Sequence, residues 1–425
     1  MKVLVIGGGG REHALVWKIR QSERVSRLYC APGNGGICAE AECCSADAGN
    51  LDSLLEVTSR LAPDLTVIGP ELPLALGLAD ELARRGLRVF GPTRAAAQLE
   101  TSKSFAKEFM KRHRIPTAHF AVVDDAAKIK DAVALFSPPL VVKADGLAAG
   151  KGVVIAASRQ EAEQVAAEML SGKLLGPAGA RVVFEECLAG DELSFLVLSD
   201  GSRVVPLAAA QDHKRVGEGD TGPNTGGMGA YSTEDLLDPQ MQEWLIAHIA
   251  RPVVDGMREE GVEYRGVLYC GLMMTARGPM VLEFNCRFGD PEAQPILMRM
   301  ESDLVVALEA CADGRLSEGD VAWSRDAAAC VVLASEGYPG QPKTGVPISG
   351  IAEADAVPGV KVFHAGTRKT DAGLVASGGR VLGVTARAAD LQSALDAAYA
   401  ATAKIYFDGM HFRRDIGARA LRKKT

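Results

Sequence analysis

The stretch KVLVIGGGGREHA, residues 2–14, decides the fold of the first part of the chain. A continuous apolar run ends here in four glycines, and apolar residues then recur with helical spacing from Glu12 to Arg20. An apolar run without alternation is typical of a parallel strand that is buried on both faces. The stretch therefore predicts a buried strand, a glycine turn and a helix.

The same alternation of strand and helix continues to about residue 100. Helical spacing recurs near 51–62 and 75–85, and short apolar runs stand at 64–69 and 87–91. Strands that alternate with helices in this way predict a doubly wound α/β domain with a parallel sheet. We expect this N-terminal domain to span residues 1–102.

The remaining sequence predicts a multidomain α/β and α+β protein. Residues 117–192 read as a small α+β module with two hairpin strands, inserted into a larger mixed-sheet domain formed by 103–116 and 193–326. After residue 327 the sequence pattern changes and predicts short strands, Gly-Pro turns and one helix near 389–405. We expect a small C-terminal mixed α/β domain over 327–425.

Composition excludes several classes of protein. The 425 residues carry 47 Lys and Arg against 54 Asp and Glu, a net charge of −7, so no global basic field favours nucleic acid or an anionic membrane. No apolar segment is long enough to span a bilayer. The nine cysteines, an odd number without a C-x-x-C pair, predict reduced thiols and a cytoplasmic location.

The glycine run at 7–10 leaves three interpretations open. Backbone N–H groups at a helix N-terminus can bind a phosphate, with Arg11 supplying a charge beside the loop. A dinucleotide site is the weaker interpretation because His13 stands where the third glycine should be. A turn that serves only tight packing is the remaining alternative.

Two further glycine loops bear basic residues. DGLAAGKG at 145–152 differs from a P-loop because no Ser or Thr follows Lys151, yet Lys143 and Lys151 flank a Gly/Ala linker between two strands. This pattern favours a flap that brings ammonium groups to a triphosphate, although two solvated surface lysines would give the same pattern. The loop 217–229 contains many glycines, whose N–H groups can form anion sites.

Two carboxylate motifs complete the pattern. In LEFN, residues 282–285, strand alternation places Glu283 and Asn285 on one face and Leu282 and Phe284 on the other. Two such oxygen ligands suit Mg²⁺, which completes its coordination with phosphates and water. The run EECLAGDE, 185–192, ends a strand, so its backbone edge can pair with an adenine-like ring while Glu192 reaches a ribose.

Together these motifs resemble the ATP-grasp superfamily and, within it, the family of phosphoribosylamine–glycine ligases. The long motifs that carry the resemblance are GGGGREHA (7–14), APGNGG (31–36), GPELPL (69–74), KADGLAAGKGV (143–153), QDHKR (211–215), GPNTGGMGAY (222–231) and LEFNCRFGDPEAQ (282–294). The resemblance runs from residue 1 to about residue 300. One departure is Asp191, where family members commonly carry Glu.

The resemblance implies an ATP-grasp fold and ligation of glycine to 5-phosphoribosylamine through a glycyl phosphate, a step of purine synthesis. ATP is a substrate, Mg²⁺ or Mn²⁺ the expected metal, and a monomer the expected state. The implied ATP-binding residues are Lys103, Lys143, Lys151, Glu185, Glu186, Leu188 and Glu192, and the metal ligands are Glu283 and Asn285. Catalytic roles fall to Asp212, Lys214 and Arg287, and phosphoribosylamine binding to Gly8, Gly9, Gly10, Arg11, Gly33, Asn34 and Glu71.

Three alternatives stay open at the level of sequence. Another carboxylate–amine ligase of the superfamily would lack activity on glycine, and a non-catalytic nucleotide sensor would release no ADP. A Rossmann oxidoreductase would bind a nicotinamide cofactor. Binding and ADP-release measurements separate the three.

Overall fold

The N-terminal domain is a parallel sheet with helices on both faces. The computed structural model describes residues 1–148, 152–173 and 175–423. The first strands are β1 (Lys2–Gly7), β2 (Arg27–Pro32), β3 (Glu42–Cys43), β4 (Leu65–Ile68) and β5 (Val89–Phe90), and the helices are α1 (Gly10–Ile19), α2 (Leu51–Leu61), α3 (Glu71–Leu76), α4 (Leu78–Arg84), α5 (Gln98–Thr101) and α6 (Lys103–Arg112). The strand order β3-β2-β1-β4-β5, all parallel, confirms the doubly wound prediction.

One predicted helix is divided in two. The sequence predicts a single helix from Thr93 to His113, whereas α5 ends before Ser102 and α6 begins after it. Ser102 has an extended backbone and its hydroxyl accepts a hydrogen bond from the N–H of Phe105, so it caps the N-terminus of α6. The break places Lys103 in the first turn of a helix.

The inserted module is a four-stranded antiparallel sheet with two helices. Its elements are β6 (Phe120–Val123), α7 (Ile129–Ala134), β7 (Leu140–Ala144), β8 (Val153–Ala156), α8 (Arg159–Leu170) and β9 (Val182–Glu186). The strands follow the order β6-β9-β7-β8, and β7 pairs antiparallel with β8 as the hairpin prediction requires. We call this module the lid.

The central domain contains a long antiparallel sheet of order β11-β10-β16-β17. Its elements are β10 (Asp191–Asp200), β11 (Val204–Pro206), β12 (Gln211–Asp212), β13 (Arg215–Gly217), β14 (Thr221–Asn224), β15 (Gly229–Ser232), α9 (Pro239–Leu245), α10 (Arg251–Glu259), β16 (Arg265–Thr275), β17 (Gly278–Asn285), α11 (Ala293–Arg299) and α12 (Leu304–Asp313). The apolar run RVVPLAAAQ, 203–211, predicts one strand, but that prediction is wrong, because the chain leaves β11 after Pro206 and forms the next strand only at Gln211.

The C-terminal region contains β18 (Ala327–Ala334), α13 (Ile351–Asp355), β19 (Val360–His364), β20 (Thr367–Thr370), β21 (Gly373–Ala376), β22 (Arg380–Ala388), α14 (Leu391–Thr402) and α15 (Ala418–Lys423). Its main sheet has the order β12-β15-β18-β22-β19. Two strands from before residue 327 therefore belong to the C-terminal sheet. The domain boundary at 327 stays a prediction, and the sheet crosses it.

The cysteine prediction is wrong for one pair. Cys38 and Cys43 form a disulfide, whereas Cys30, Cys44, Cys187, Cys270, Cys286, Cys311 and Cys330 are free. Cys38 and Cys43 are five residues apart in sequence, a spacing that matches no motif, and the fold brings their Cα atoms to 5.3 Å from each other. Within the described ranges, no helix has the length and apolarity that crossing a bilayer requires.

Candidate active site

A cavity of about 350 Å³ lies between the lid, the central sheet and the N-terminal domain. Twelve of the predicted site residues line this cavity. Glu71 was predicted to bind phosphoribosylamine, and the other eleven were predicted to bind ATP or the metal or to act in catalysis: Lys103, Lys143, Glu185, Glu186, Leu188, Glu192, Asp212, Lys214, Glu283, Asn285 and Arg287. Lys151 lies outside the described residues. Apolar side chains such as Val141, Ile155 and Met273 also line this cavity, which suits a ligand with one flat apolar part and one charged part.

Buried lysines hold one wall of the cavity together. The Glu185 carboxylate lies 2.8 Å from Nζ of Lys143 and 2.8 Å from Nζ of Lys107. Burial raises the pKa of Glu185, but the two ammonium groups outweigh burial and lower it below its ordinary value. Burial lowers the pKa of Lys107 to about 8 against the opposing charge of Glu185. The Glu185 side chain is thus paired with two lysines, and Glu186, Cys187 and Leu188 at the end of β9 and after it also line the cavity.

Lys103 joins the lid to helix α6. Its Nζ donates to the carbonyl of Gly146 over 3.2 Å, and its backbone N–H donates to the carbonyl of Asp145 over 3.0 Å. The Asp145 carboxylate in turn accepts from the N–H of Ser104 over 2.7 Å. A carboxylate at this helix N-terminus is stabilised by the unpaired N–H groups there.

A β-bulge shapes the predicted metal site. Gly271 pairs with Glu283 and Leu272 pairs with Val281, so Leu282 is the extra residue in β17. Glu283 and Asn285 share a face and line the cavity, as alternation predicts. Phe284 is buried in the core, as expected, although it also borders the cavity. Leu282, the residue at the bulge, is only half-buried and lines the cavity, which corrects its expected placement in the core. The Leu282 carbonyl accepts a hydrogen bond from Nζ of Lys143 over 3.2 Å.

Carboxylates and one lysine form the charged centre of the cavity. Nζ of Lys214 lies 2.7 Å from the Glu192 carboxylate. Burial lowers the pKa of Lys214, but Glu192, Asp212 and Glu283 outweigh burial and raise it well above its ordinary value. Burial raises the pKa of Asp212 to about 8, with Lys214 opposing and the carboxylate of Glu292 adding to the rise. Lys214 is therefore a permanent cation among carboxylates.

Glu283 is ionised in this setting. Burial raises its pKa, whereas Lys214, Lys143 and Lys103 together lower it below its ordinary value. An ionised carboxylate beside an amide oxygen is a hard oxygen pair, and this donor set fits Mg²⁺ or Mn²⁺. Among the described residues, no group of three or more His, Cys, Asp and Glu side chains could hold a metal ion. A bound metal here would need ligand phosphates or water in addition.

Arg287 is held by two carboxylates at the N-terminal side of the cavity. Its guanidinium lies 2.8 Å from Glu100 and 3.6 Å from Glu71. The other oxygen of Glu100 accepts from the N–H of Cys286 over 2.7 Å. This arrangement fixes the orientation of Arg287, whose planar group matches a carboxylate.

The remaining predicted substrate residues gather beside the cavity at the carboxyl ends of the parallel strands. Gly8, Gly9 and Gly10 follow β1, Gly33 and Asn34 follow β2, and Glu71 follows β4. This edge of a doubly wound sheet is where ligands bind. A Cβ built on Gly9 would lie 3.4 Å from the Asp290 carboxylate, which links the glycine loop to the cavity wall.

Two of the predicted substrate residues, Asn34 and Arg11, bond to other parts of the protein rather than facing open space. The Asn34 amide donates to the carbonyls of Gly8 and His364 and accepts from two backbone N–H groups, so it shapes the loop. The Arg11 guanidinium bonds Glu12 and the carbonyl of Phe288. Glu12 also accepts the N–H of Gly9, so a carboxylate already stands at the N-terminus of α1.

Sequence reasoning missed several residues of the site. Lys107, Glu100 and Tyr269 line the cavity, yet each lies in an ordinary amphipathic helix or apolar strand. Tyr269 donates to Glu292 over 2.9 Å, and Ser194 lies 2.8 Å from the Tyr269 hydroxyl. The only sequence signal for Lys107 is its spacing of four from Lys103, which places both on one helix face.

Comparison with known proteins agrees with the geometry. Three sequence profiles match in order: phosphoribosylglycinamide synthetase N domain at residues 1–100, its ATP-grasp (A) domain at 101–293 and its C domain at 328–419. Curated proteins named phosphoribosylamine–glycine ligase are 51% identical in Xanthomonas axonopodis pv. citri and 48% in Pseudomonas aeruginosa, each covering 100% of this chain and 99% of the relative.

Solved structures extend this agreement to the fold. A phosphoribosylamine–glycine ligase from Thermotoga maritima has a TM-score of 0.86 and 35% identity, over 98% of this chain and all of that one. A biotin carboxylase from Campylobacter jejuni, at 14% identity, has a TM-score of 0.75 over 97% of this chain and 93% of that one. The second likeness is one of fold alone.

The lid, the central sheet and the cavity of lysines and carboxylates between them define an ATP-grasp ligase. Enzymes of this class use ATP with a divalent metal. The chain belongs to the phosphoribosylamine–glycine ligase family.

Proposed function

We propose that the chain joins glycine to 5-phosphoribosylamine at the expense of ATP, giving glycinamide ribonucleotide, ADP and phosphate. The observation that carries the proposal is the cavity that Lys103, Lys143 and Lys214 line together with Glu283 and Asn285. It places cations for a triphosphate beside oxygen ligands for its metal. The choice of substrates is supported by a curated phosphoribosylamine–glycine ligase that is 51% identical to this chain over its full length.

The reaction takes place in two steps. A glycine carboxylate oxygen attacks the γ-phosphorus of ATP, and the bond to the bridging oxygen breaks to release ADP. The amine nitrogen of phosphoribosylamine then attacks the acyl carbon of glycyl phosphate, inorganic phosphate leaves, and the nitrogen loses a proton. Phosphorylation supplies the leaving group that a carboxylate lacks.

The protein contributes position and charge compensation. Lys103, Lys143 and Lys214 would neutralise the phosphates, with Lys151 as a further phosphate contact. Glu192 would bind the ribose, and the backbone of Glu186 and Leu188 the adenine edge. Arg287 would bind the glycine carboxylate.

Glu283 and Asn285 would hold the divalent metal, for which we propose Mg²⁺, with Mn²⁺ as a substitute. When bound, the metal supplies charge compensation on the phosphate oxygens. Asp212 would bind the glycine ammonium group. Because burial and the carboxylate of Glu292 raise its pKa, Asp212 would gain negative charge most readily when a cationic ligand is present.

The phosphate of phosphoribosylamine would lie at the glycine loop after β1, with Glu71 nearby. Glu12 already accepts one N–H there, so the phosphate would use the N–H groups that remain. We propose that the enzyme acts as a monomer in the cytoplasm, without nucleic acid or membrane.

Isotope transfer tests this chemistry directly. Glycine labelled with ¹⁸O in its carboxylate should pass one ¹⁸O to inorganic phosphate during turnover, with phosphoribosylamine generated in place. ADP release should also depend on all three substrates, each omitted in turn. Turnover that leaves phosphate unlabelled would refute the glycyl phosphate, and ADP release that ignores glycine would refute the substrate assignment.

A further inference from the structure

The segment 213–220, which contains Lys214, is held by the last residues of the C-terminal region. The N–H of Gly417 donates to Nε2 of His213, and His411 donates to the carbonyl of Val216 over 2.9 Å. The N–H of Gly219 donates to the Asp415 carboxylate over 2.8 Å. Segment 411–419 therefore contacts segment 213–220 along its whole length.

Arg413 is the centre of this contact. Its side chain is 1% exposed, and its guanidinium bonds both oxygens of Asp415 over 2.7 Å. The remaining nitrogen donates over 3.0 Å to Asp220 and over 3.0 Å to the carbonyl of Arg215. Two carboxylates and a carbonyl thus compensate the positive charge of the buried guanidinium. Because the guanidinium group is planar and rigid, its N–H bonds fix the positions of all three partners.

The segment needs such support. Asp220 has a left-handed backbone with φ of 57°, a conformation that is uncommon for residues other than glycine, although Asp adopts it more often than most. Arg413 and Arg419 both pair with its carboxylate. Ion pairs to this side chain stabilise the turn in the shape that the structure has.

The contact reaches the active site through one peptide bond. Arg413 binds the carbonyl of Arg215, the residue next to Lys214. Thr225 donates to the Lys214 carbonyl with its N–H and its hydroxyl, each over 2.8 Å. The backbone that follows Lys214 is thus held by Thr225 and Arg413, and Nζ of Lys214 lies 2.7 Å from the Glu192 carboxylate in the cavity.

We propose that Arg413 is a positioning residue for the reaction: from the C-terminal region it fixes segment 213–220 and so holds Lys214 in the nucleotide cavity. This inference rests on the proposed nucleotide role of Lys214. Arg413 itself touches no substrate in this scheme. Its effect should pass entirely through Lys214.

A double-mutant cycle on nucleotide affinity tests the inference. The dissociation constant of MgADP is measured by calorimetry for the parent, Arg413→Lys, Lys214→Gln and the double variant. Lysine keeps the charge but cannot bond Asp415, Asp220 and the Arg215 carbonyl together, so we expect Arg413→Lys to weaken binding at least tenfold. In the Lys214→Gln background the same change should weaken binding less than twofold.

Controls separate the possible failures. Arg325→Lys, at a side chain that is 90% exposed, should leave affinity unchanged, and circular dichroism checks that each variant is folded. If Lys214→Gln binds MgADP as the parent does, the proposed role of Lys214 is wrong. If Lys214→Gln binds MgADP weakly but Arg413→Lys weakens binding equally in both backgrounds, or does not weaken it in the parent, Arg413 does not act through Lys214.

A second variant covers the case in which Arg413→Lys does not fold. Asp415→Asn removes one carboxylate partner of the guanidinium, and it then replaces Arg413→Lys in the cycle with the same expectations.

Discussion

At the scale of single residues, the site depends on charges that are buried and mutually compensated. Three lysines lower the pKa of Glu283 although burial raises it, so this carboxylate stays ionised, as its proposed role as a metal ligand requires. The same balance explains why Lys214 remains a cation. Removing one member takes away a charge that the remaining groups compensate, although Lys214 and Glu192 are partly exposed and water can offset some of the loss.

Glu283→Gln should abolish turnover in a folded protein. The amide keeps the shape of the side chain but removes the ionised oxygen of the proposed metal pair, so charge on the transferring phosphoryl group goes uncompensated. We expect kcat to fall at least 100-fold in the ADP-release assay, about 2.7 kcal/mol of lost transition-state stabilisation. Glu108→Gln, on the exposed face of α6, is the matched control. Retention of more than about a tenth of the parent rate would contradict the metal assignment.

Gly9→Asp should damage phosphoribosylamine binding and spare nucleotide binding. A Cβ at Gly9 would lie 2.8 Å from the Glu12 carboxylate and 3.4 Å from that of Asp290, and the new carboxylate would repel a phosphate. We expect the KM for phosphoribosylamine to rise at least ~100-fold, about 2.7 kcal/mol, with MgADP affinity within a few-fold of the parent.

Gly319→Asp, where the added Cβ would make only an ordinary contact of 3.9 Å with the Ser317 hydroxyl, is the control for the charge change. A soluble Gly9→Asp variant that lost nucleotide affinity and kept its KM for phosphoribosylamine would show that the two sites are assigned the wrong way round.

At the scale of elements, the junction between β7 of the lid and α6 controls where Lys103 lies. Asp145 accepts from the N–H of Ser104 and the hydroxyl of Ser102, while its own carbonyl accepts the N–H of Lys103. The lid and the helix are therefore tied at the point where a nucleotide phosphate would bind. Movement of the lid would carry Lys103 and Gly146 together.

Asp145→Ala should loosen this junction. Loss of the carboxylate leaves the N-terminus of α6 without its acidic partner, an effect of about 1 kcal/mol on local stability. We expect MgADP affinity to fall about tenfold and limited proteolysis within residues 140–156 to accelerate. MgADP should slow this cleavage in the parent more than in the variant. Asp131→Ala, on α7 of the lid, provides the comparison, and equal cleavage of both variants would argue against a tie at Asp145.

Some elements of the fold could be predicted from the sequence and others could not. Strands β1, β4 and β5 of the N-terminal sheet were predictable because each has its own local apolar run, whereas β2 and the two-residue β3 were not predicted. The division between α5 and α6 was not predictable, because Ser102 differs from other polar residues of an amphipathic helix only through its cap. Glu100 and Lys107 were not predicted either. Each looks like an ordinary polar residue of a helix, because its partner, Arg287 for Glu100 and Glu185 for Lys107, is far away in sequence.

At the scale of the whole molecule, the N-terminal and C-terminal regions meet through buried histidines. Nδ1 of His13 accepts the N–H of His364 over 2.7 Å, and the His364 ring packs against Gly36. Burial lowers the pKa of His364 to about 3, with the charge of Lys361 adding to the decrease and Glu40 opposing it. Burial likewise lowers the pKa of His13.

Stability should therefore fall as the pH is lowered from neutral. Above pH 6.5 the imidazole of His364 is neutral in both folded and unfolded chains; between about 6.5 and 3 the unfolded chain binds a proton that the folded chain does not. We expect the thermal midpoint to decrease from pH 7 to pH 5, and His364→Asn to reduce this dependence. His248→Asn, at an exposed ring, should leave it unchanged. A steeper dependence in His364→Asn than in the parent would contradict the neutral assignment.

The C-terminal sheet has a consequence for how the enzyme is made. Strands β12 and β15 flank Lys214, yet their sheet is completed by β18, β22 and β19, and Arg413 comes later still. On the ribosome, the N-terminal domain can fold as soon as it emerges. Segment 213–220 must wait for almost two hundred further residues before its partner Arg413 has been synthesised. A nascent chain stalled before β22 would thus expose an unpaired strand edge and bind no nucleotide, and premature termination would yield a target for chaperones and proteases in place of a weakened enzyme.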